Sequence, residues 1–264
     1  MAEVLAGAPD EVVTNAILRM VSLTPFGHTG ELALITLDNG ADHNRPNTFG
    51  PTSLNSLSSA IDEAQKSDVV AIAVTGKPFI FAAGADLSAM SFLKDKSQAV
   101  AIGDLGHEVF LKLHESKKPT FAFINGLALG GGLEVGLNSH YRTLATTAFT
   151  GLPECFLGLV PGWGGATLLP KLIGPENAVQ VIILNALNNN TMMKAKDALS
   201  LGVVDAVYEP SDFIEHSVKF AADVSSGKNK IERKDFGKDS AGYEKAIATG
   251  KAAIAKKYSG AQIP

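Results

Sequence analysis

A chain of 264 residues with 45% hydrophobic residues and a formal net charge of −4 predicts one large globular domain, with or without a small appendage. The slight acidic excess argues against a general nucleic-acid binder, because such proteins usually show a basic excess or a basic stripe. It leaves room for a local basic pocket that binds one phosphorylated ligand. The single cysteine, Cys155, excludes an intramolecular disulfide and favours a reducing compartment such as the cytoplasm.

The apolar segments have the length of strands, not of membrane spans. The run VVAIAV at 69–74 is among the longest, and it falls far short of the ~18 residues that a span requires. The amino terminus carries acidic residues and a proline where a secretion signal has a basic region followed by an apolar one. We therefore expect a soluble cytoplasmic protein that does not associate with membranes.

In chain order, five segments rich in β-branched and apolar residues predict mostly buried strands. They are 31–38, 69–76, 119–126, 140–147 and 203–210. Helical periodicity lies between them, and the first helix is preceded by a capping signal at Thr52 and Ser53. The apolar faces of the first two helices consist of Leu54, Leu57, Ile61 and Ala64, then of Ile102, Leu105, Val109 and Leu113. Strands that alternate with helices predict an α/β fold.

The last part of the chain, from about residue 211, has a helical pattern and more lysine, with a break at 224–242. Its apolar positions suit helices that pack on the main body or on a second subunit: Phe213, Val218, Phe220, Tyr243, Ile247 and Ile254. We therefore divide the chain into a core, residues 1–210, that carries binding and catalysis, and a C-terminal helical region, residues 211–264, for packing or oligomerisation.

Three consecutive glycines, Gly130 to Gly132, follow a predicted strand and lead into LEVGL, which has the pattern of a helix start. Glycines let the backbone approach a ligand closely, and the free N–H groups of a helix start favour a negative charge. The segment has the outline of an anion or oxyanion site, although close packing of a helix on a strand explains it equally well. Its spacing is not that of a dinucleotide-binding fingerprint or of a P-loop.

Two glutamates lie in otherwise apolar sequence close to these glycines. Glu134 follows them almost directly, and Glu154 lies between Leu-Pro and Cys-Phe-Leu. Carboxylates are seldom fully buried unless they are paired or functional. Capping or an ion pair explains either glutamate alone, but together, beside a candidate oxyanion site, they indicate an acid/base pair.

These segments together resemble the enoyl-CoA hydratase/isomerase (crotonase) family. The motifs FAAGADL, NGLALGGGLE and LPECFLGLVPGWGG occur in family order, and Glu134 and Glu154 are twenty positions apart, as in the hydratases of the family. The similarity runs from about residue 30 to residue 210. It implies a crotonase-like spiral of ββα units and C-terminal helices that build homotrimers, often dimers of trimers.

The resemblance also implies roles for individual residues. Glu134 would mainly activate water, Glu154 would protonate carbon, and the backbone N–H groups of Ala85 and Gly131 would form an oxyanion hole. The remaining residues implied to bind the CoA thioester are Arg45, Ala82, Ala83, Gly84, Asp86, Leu87, Gly130, Gly132, Pro153, Gly162 and Trp163. No metal is expected, and no cofactor besides the CoA thioester, which is the substrate.

The presence of both glutamates favours hydration of 2-trans-enoyl-CoA in fatty acid β-oxidation, since dedicated isomerases of the family generally keep only the carboxylate at the Glu154 position. A 3-enoyl/2-enoyl-CoA isomerase and a non-catalytic binding protein on the same scaffold are the alternatives. The stretch 183–195 resembles the hydratase half of multifunctional β-oxidation proteins, so the chain is either a stand-alone relative or part of a longer protein. Association with a β-oxidation dehydrogenase or thiolase is a further implication.

One departure from the family pattern concerns residues 88–90, Ser-Ala-Met, where many members carry a lysine that contacts the CoA phosphates. Two other features have plainer explanations than chemistry. His107 and His114 share a helix face but have no third metal ligand near them in sequence, so partly exposed helix histidines are expected. Cys155 adjoins Glu154 but has no evident histidine partner, which favours a packing role.

Overall fold

The computed structural model describes residues 11–88 and 95–257. The departure at Ala89 and Met90 therefore lies outside the described residues, as do the two ends of the chain. Within these ranges the strands are β1 (Asn15–Ser22), β2 (Glu31–Asp38), β3 (Ala71–Gly76), β4 (Ile80–Ala82), β5 (Thr120–Ile124), β6 (Leu127–Leu129), β7 (Tyr141–Ala145), β8 (Phe149–Gly151), β9 (Met193–Lys194) and β10 (Ala206–Tyr208). They form two sheets.

The larger sheet has six strands in the order β1-β2-β3-β5-β7-β10. Only β1 and β2 are antiparallel; every other neighbouring pair is parallel. All five strands predicted from the sequence lie in this sheet, which confirms them. Every residue of β3 and β5 is buried, as the continuous apolar runs of parallel strands require. The sequence analysis missed β1, whose residues are mostly exposed or half-buried.

The smaller sheet has four short strands in the order β4-β6-β8-β9. The first two pairs in this order are parallel, and β8 and β9 are antiparallel. None of these strands was predicted, because two or three residues are too few to show a strand period. Since β4, β6 and β8 run parallel, the segments that follow them leave the sheet at the same edge.

The helices in the described ranges are α1 (Pro51–Lys66), α2 (Lys96–His114), α3 (Gly131–Asn138), α4 (Gly165–Ile173), α5 (Pro175–Val179), α6 (Asn185–Leu187), α7 (Ala195–Leu201), α8 (Phe213–Ser225) and α9 (Ser240–Lys257). Short 3₁₀ turns cover Thr24–Phe26 and Glu154–Leu157, and a π-helical turn covers Gln180–Leu184. No helix in the described part of the chain is long and apolar enough to span a membrane.

The predicted capping of α1 by Thr52 and Ser53 is wrong. The helix begins at Pro51, the first helical position that proline favours, and its N-cap residue, Gly50, has no side chain to cap it. The carboxylate of Glu11 accepts hydrogen bonds from the backbone N–H groups of Thr52 and Ser53 instead, at 3.1 and 2.9 Å. A residue about forty positions away therefore satisfies the free donors of the helix start.

The predicted apolar faces pack as expected in α1, where all four residues are buried. In α2, Val109 and Leu113 are buried, whereas Ile102 and Leu105 are partly exposed. The C-terminal pattern is also confirmed: α8 and α9 are separated by residues 226–239, which form no helix. Phe213, Val218 and Phe220 of α8 are buried, while Ile247 of α9 is 53% exposed. The division into two functional regions stays a prediction.

Candidate active site

A cleft of about 240 Å³ lies at the edge of the smaller sheet where three parallel strands end. The segment after β4 supplies Ala83 to Ala85, the segment after β6 supplies Gly130, and the segment after β8 supplies Glu154. Helix α2 forms the opposite wall with Ala99, Ile102 and Gly103. The carboxyl ends of parallel strands are a common place for ligands, because the chain leaves the sheet there and exposes backbone groups.

Glu134 lies in the first turn of α3 and is only 2% exposed. Its Oε1 accepts hydrogen bonds from the backbone N–H groups of Trp163 and Gly165, each at 2.8 Å. Burial raises the pKa of Glu134 to about 7, although these two hydrogen bonds lower it. The carboxyl group therefore changes its charge near neutral pH, as a proton-transfer group must.

Glu154 opens the 3₁₀ turn that follows β8 and faces the same cleft. Its Oε1 lies against Gly130, where an added Cβ would stand 2.7 Å from that oxygen. Its Oε2 is buried and has no hydrogen-bond partner among the described residues. Burial, and then the nearby charge of Glu134, raise the pKa of Glu154 to about 7. The two carboxyl groups thus titrate as a coupled pair.

The backbone N–H groups of Ala85 and Gly131 belong to residues that line the cleft beside these carboxyl groups. The chain at Gly84 approaches the start of α3 so closely that a Cβ at Gly84 would stand 3.2 Å from the Gly131 nitrogen. No described residue accepts a hydrogen bond from either N–H group. Two free donors beside a helix N-terminus are what an oxyanion hole needs, and this role stays a prediction.

The segment that carries Ala85 is fixed by Asn47, a buried residue that the sequence analysis did not single out. The Asn47 side-chain amide donates to the carbonyls of Leu37 and Phe81, and the backbone carbonyl of Asn47 accepts from the Ala83 N–H at 2.8 Å. Further backbone bonds join Phe49 to both neighbours of Ala85. The only signal in the sequence was an amide side chain directly after a proline.

Most of the predicted site residues line this one cleft: Ala83, Gly84, Ala85, Leu87, Gly130, Gly131, Glu134, Pro153, Glu154, Gly162 and Trp163. Four others do not. Ala82 and Gly132 pack against each other behind it, since a Cβ at Gly132 would stand 1.9 Å from the Ala82 carbonyl oxygen. The Asp86 carboxylate accepts from Ser88, and Arg45 is exposed in the loop before Asn47.

Trp163 closes the inner end of the cleft with its ring. The ring packs edge-on against Phe49 and Phe110, with centroid distances of 6.4 and 5.4 Å. It also fits against Gly106 of α2, where an added Cβ would stand 2.2 Å from a ring atom. Trp163 therefore fixes the distance between α2 and the loop that binds Glu134. The sequence analysis placed Trp163 near the site but missed Gly106.

Cys155, His107 and His114, which stood out in the sequence, form no second site in the described part of the chain. Cys155 is half-buried, and burial raises the pKa of its thiol. His107 and His114 are exposed on α2. Within residues 11–88 and 95–257, no group of three or more His, Cys, Asp or Glu side chains is arranged to hold a metal ion.

A cleft that places two protonatable carboxyl groups beside free backbone donors has the groups that acid/base chemistry requires. Residues 28–238 match the family model described as enoyl-CoA hydratase/isomerase, and the chain therefore belongs to that family. This match confirms the resemblance inferred from the motifs, and it extends beyond residues 30–210 at both ends.

The chain is also similar to known proteins over most of its length. It is 36% identical over 190 residues to subunit alpha of a fatty acid oxidation complex from Idiomarina loihiensis, a match covering 71% of this chain and 26% of the relative. It is 38% identical over 175 residues to the glyoxysomal fatty acid beta-oxidation multifunctional protein MFP-a of Brassica napus, a match covering 65% of this chain and 23% of the relative. The chain thus spans about a quarter of these relatives' length. The predicted likeness to part of multifunctional proteins is confirmed.

Solved structures confirm the predicted fold class. An enoyl-CoA hydratase from Bacillus anthracis superposes with a TM-score of 0.68 at 25% identity, covering 79% of this chain and 76% of that chain. DspI from Pseudomonas aeruginosa superposes with a TM-score of 0.67 at 33% identity, covering 79% of this chain and 74% of that chain. The α/β architecture with short parallel strands around the cleft is therefore that of the crotonase fold.

Proposed function

We propose that the protein is an enoyl-CoA hydratase that reversibly adds water to 2-trans-enoyl-CoA, giving 3-hydroxyacyl-CoA in fatty acid β-oxidation. The observation that carries this proposal is the pair of carboxyl groups, Glu134 and Glu154, which face one apolar cleft and both have a pKa near 7. Hydration needs one group that takes a proton from water and one that gives a proton to carbon. Two carboxyl groups that share one negative charge at neutral pH supply both an ionised base and a protonated acid.

The proposed reaction begins with a water molecule between the two carboxyl groups. Ionised Glu134 accepts a proton from this water as the oxygen attacks the β-carbon, and protonated Glu154 delivers its proton to the α-carbon. The free Oε2 of Glu154, which has no partner among the described residues, suits transfer to a substrate atom. Each positioned acid or base is worth about 10² to 10⁴ in rate.

Negative charge develops on the thioester oxygen as water adds. The N–H groups of Ala85 and Gly131 are the proposed donors to this oxygen, with the N-terminal dipole of α3 acting in the same direction. One such donor in a dry, preorganised site is worth about 3 kcal/mol. Because α3 begins at Gly131 itself, and not at Leu133 as its sequence pattern suggested, the Gly131 N–H belongs to the first residue of the helix.

The CoA portion is proposed to lie along the segment after β4, near Ala83, Gly84 and Leu87. Arg45, which is exposed on the loop before Asn47, is the residue that we propose contacts a CoA phosphate outside the cleft. No cofactor beyond the CoA thioester enters the proposed reaction. We further propose a homotrimer or a dimer of trimers, and association with other β-oxidation enzymes of the kind named for the relatives. Sedimentation of the purified protein measures the number of subunits in the oligomer.

An isomerase that moves a double bond between 3-enoyl- and 2-enoyl-CoA is the second candidate. The unpartnered Oε2 of Glu154 favours it, since a single carboxylate can carry one proton between two carbons. A non-catalytic binding protein is disfavoured, because two carboxyl groups with no ion-pair partner among the described residues cost stability that binding alone would not require.

The test follows the loss of the conjugated thioester absorbance with crotonyl-CoA and decenoyl-CoA. We expect rapid loss with the wild type and a fall of about 10² to 10⁴ in kcat for Glu134→Gln and for Glu154→Gln. No loss with either substrate, from folded protein that still binds CoA, would refute the hydratase. Conversion of a 3-enoyl-CoA that survives Glu134→Gln but not Glu154→Gln would establish the isomerase instead.

A further inference from the structure

Asn138, the last residue of α3, joins the helix to the loop that carries Trp163. It is 1% exposed, and its Nδ2 donates to two carbonyl oxygens, that of Glu134 at 2.8 Å and that of Trp163 at 2.9 Å. The first bond runs one helical turn back, and the second bond crosses to residue 163. Both hydrogens of the side-chain amide are therefore used.

The loop held by Asn138 is the one that binds the Glu134 carboxylate. The backbone of Trp163 makes two hydrogen bonds: its N–H donates to Glu134 Oε1, and its carbonyl accepts from the Asn138 side chain. The next residue, Gly164, has a φ of 123°, and a Cβ there would stand 2.9 Å from the Asn138 Nδ2. That conformation turns the Gly165 N–H towards the same Oε1. Asn138, Trp163 and Glu134 thus form a closed hydrogen-bonded ring, and the Gly165 N–H is a second donor to the Glu134 carboxylate.

We propose that Asn138 is a positioning residue, which holds the loop at 161–165 against α3 and so keeps both N–H donors on Glu134 Oε1. The inference rests on the proposed function, in which Glu134 activates water. Asn138 does not line the cleft, and it acts on the reaction only through the orientation and ionisation of Glu134.

Loosening of the loop changes the pKa of Glu134 in one direction only. Burial favours the neutral acid of Glu134, while the two N–H groups favour the carboxylate. If the loop loosens, the carboxylate loses these donors and its pKa rises further. Hydrogen bonds to a charged group are strong enough to move a pKa by about one unit.

Other charges near Glu134 do not mask this effect. Glu154 is the other titratable group in the cleft among the described residues. Arg142 lies at the C-terminal end of α3, where it donates to the carbonyls of Gly136 and Ser139. The charged residues of α2 nearest the cleft in sequence are exposed to solvent: Asp104, His107 and Glu108. Lys171 of α4 is exposed as well.

The chain offers a matched control in the neighbouring residue, Ser139. It is buried to a similar degree, and its hydroxyl donates to the Val135 carbonyl, one turn back, as Asn138 donates to Glu134. Ser139 makes no side-chain hydrogen bond to the loop within the described part of the chain, so Ser139→Ala removes a helix-end hydrogen bond and leaves the ring intact. Asn138→Ser keeps a hydroxyl able to bond the Glu134 carbonyl but too short to reach Trp163.

The experiment is a ¹³C NMR titration of the Glu134 side-chain carboxyl, with Glu154→Gln as background so that one carboxyl titrates in the cleft. We expect Asn138→Ala and Asn138→Ser to raise the Glu134 pKa by about one unit, and Ser139→Ala to leave it unchanged. The acid limb of kcat/KM, measured with Glu154 intact, moves by the same amount. Thermal melting checks that each protein is folded, and Asn138→Ser serves if the alanine variant is not.

The outcomes separate this inference from the proposed function. An unchanged Glu134 pKa in a folded Asn138 variant overturns the inference, and so does an equal rise in Ser139→Ala. Absence of hydration by the wild type overturns the proposed function, while the NMR titration still reports on the ring. A rise confined to the Asn138 variants supports the positioning role.

Discussion

Replacing Gly130 by alanine separates the geometry of the site from the stability of the fold. Gly130 has a φ of 52° and a ψ of −125°, and a Cβ there would stand 2.7 Å from Glu154 Oε1. An L-residue in this region of backbone space costs about 1 to 3 kcal/mol. The Glu154 carboxyl is at the end of a flexible side chain, so it moves aside at small further cost. We expect modest destabilisation but a large loss of activity.

The expected loss of activity follows from the distance between the added Cβ and Glu154 Oε1. A methyl carbon and a carboxylate oxygen need well over 3 Å between them, so the oxygen is displaced by roughly 0.5 to 1 Å, which is enough to cost about 10² in rate at a positioned catalytic group. Gly202→Ala is the matched control, because Gly202 also has a positive φ, 79°, with no described atom within 4 Å of its Cβ position. It loses similar stability, about 1 to 2 kcal/mol, and keeps its kcat.

The assay combines thermal unfolding with hydration of crotonyl-CoA. A double mutant completes it: in Glu154→Gln, the change Gly130→Ala is expected to cost little further activity, because the group that it displaces is already inactive. Folded Gly130→Ala with a kcat within about threefold of the wild type would refute the reasoning. So would a full additional loss in the Glu154→Gln background, which would place the effect on the Gly131 N–H.

Two further predictions concern stability. Burial raises the pKa of Glu134 and of Glu154 to about 7, above the unfolded value of about 4.3, so the folded state holds more protons between these values. The free energy of unfolding is therefore highest below the unfolded pKa and falls as the pH rises from about 4.3 to about 7, by about 3 kcal/mol for each group at about 1.4 kcal/mol per pKa unit. Denaturant titrations from pH 4.5 to 8 measure this fall, and a flat curve would contradict it. Lys77, only 5% exposed, donates from Nζ to Asn39 Oδ1 and to the carbonyls of Ala41 and Asp42. Lys77→Met removes all three bonds and leaves the Ala41 carbonyl without a partner among the described residues, whereas Asn39 Oδ1 still accepts from the Ala41 N–H and the Asp42 carbonyl from the Arg45 N–H. We therefore expect a loss of about 1 to 3 kcal/mol and faster cleavage of the 39–46 loop before Asp42 by endoproteinase Asp-N, and unchanged cleavage would count against the role of Lys77 as its anchor.

Five of the six strands of the larger sheet could be predicted because each carries its own signal, whereas β1, with no buried residue, does not. A segment such as ELALITLD is long and apolar, and its burial does not depend on knowing its neighbours. The smaller sheet could not, since Ile80–Ala82 and Leu127–Leu129 pair over two or three residues that only the tertiary fold brings together. The site lies on this second sheet, so its residues were found through motifs and not through strand patterns.

Within the site, the sequence indicated the chemical groups but not their partners. Glu134 and Glu154 stood out because they interrupt apolar segments. The hydrogen bonds that orient Glu134 come from residues 29 and 31 positions away, and no local period encodes such distances. Asn47 and Asn138 were missed for the same reason, since an isolated asparagine gives no sign of which carbonyl groups it will meet.

Trp163 is the one tryptophan in the 264 residues, and its ring is packed between Phe49, Phe110 and Gly106 beside the carboxyl groups of Glu134 and Glu154. All tryptophan fluorescence of the protein therefore originates at the inner end of the cleft. Its emission can follow, without any label, the entry of an acyl chain, the ionisation of Glu134 or the loosening of the loop. The molecule carries its own optical probe at the place where the chemistry is proposed.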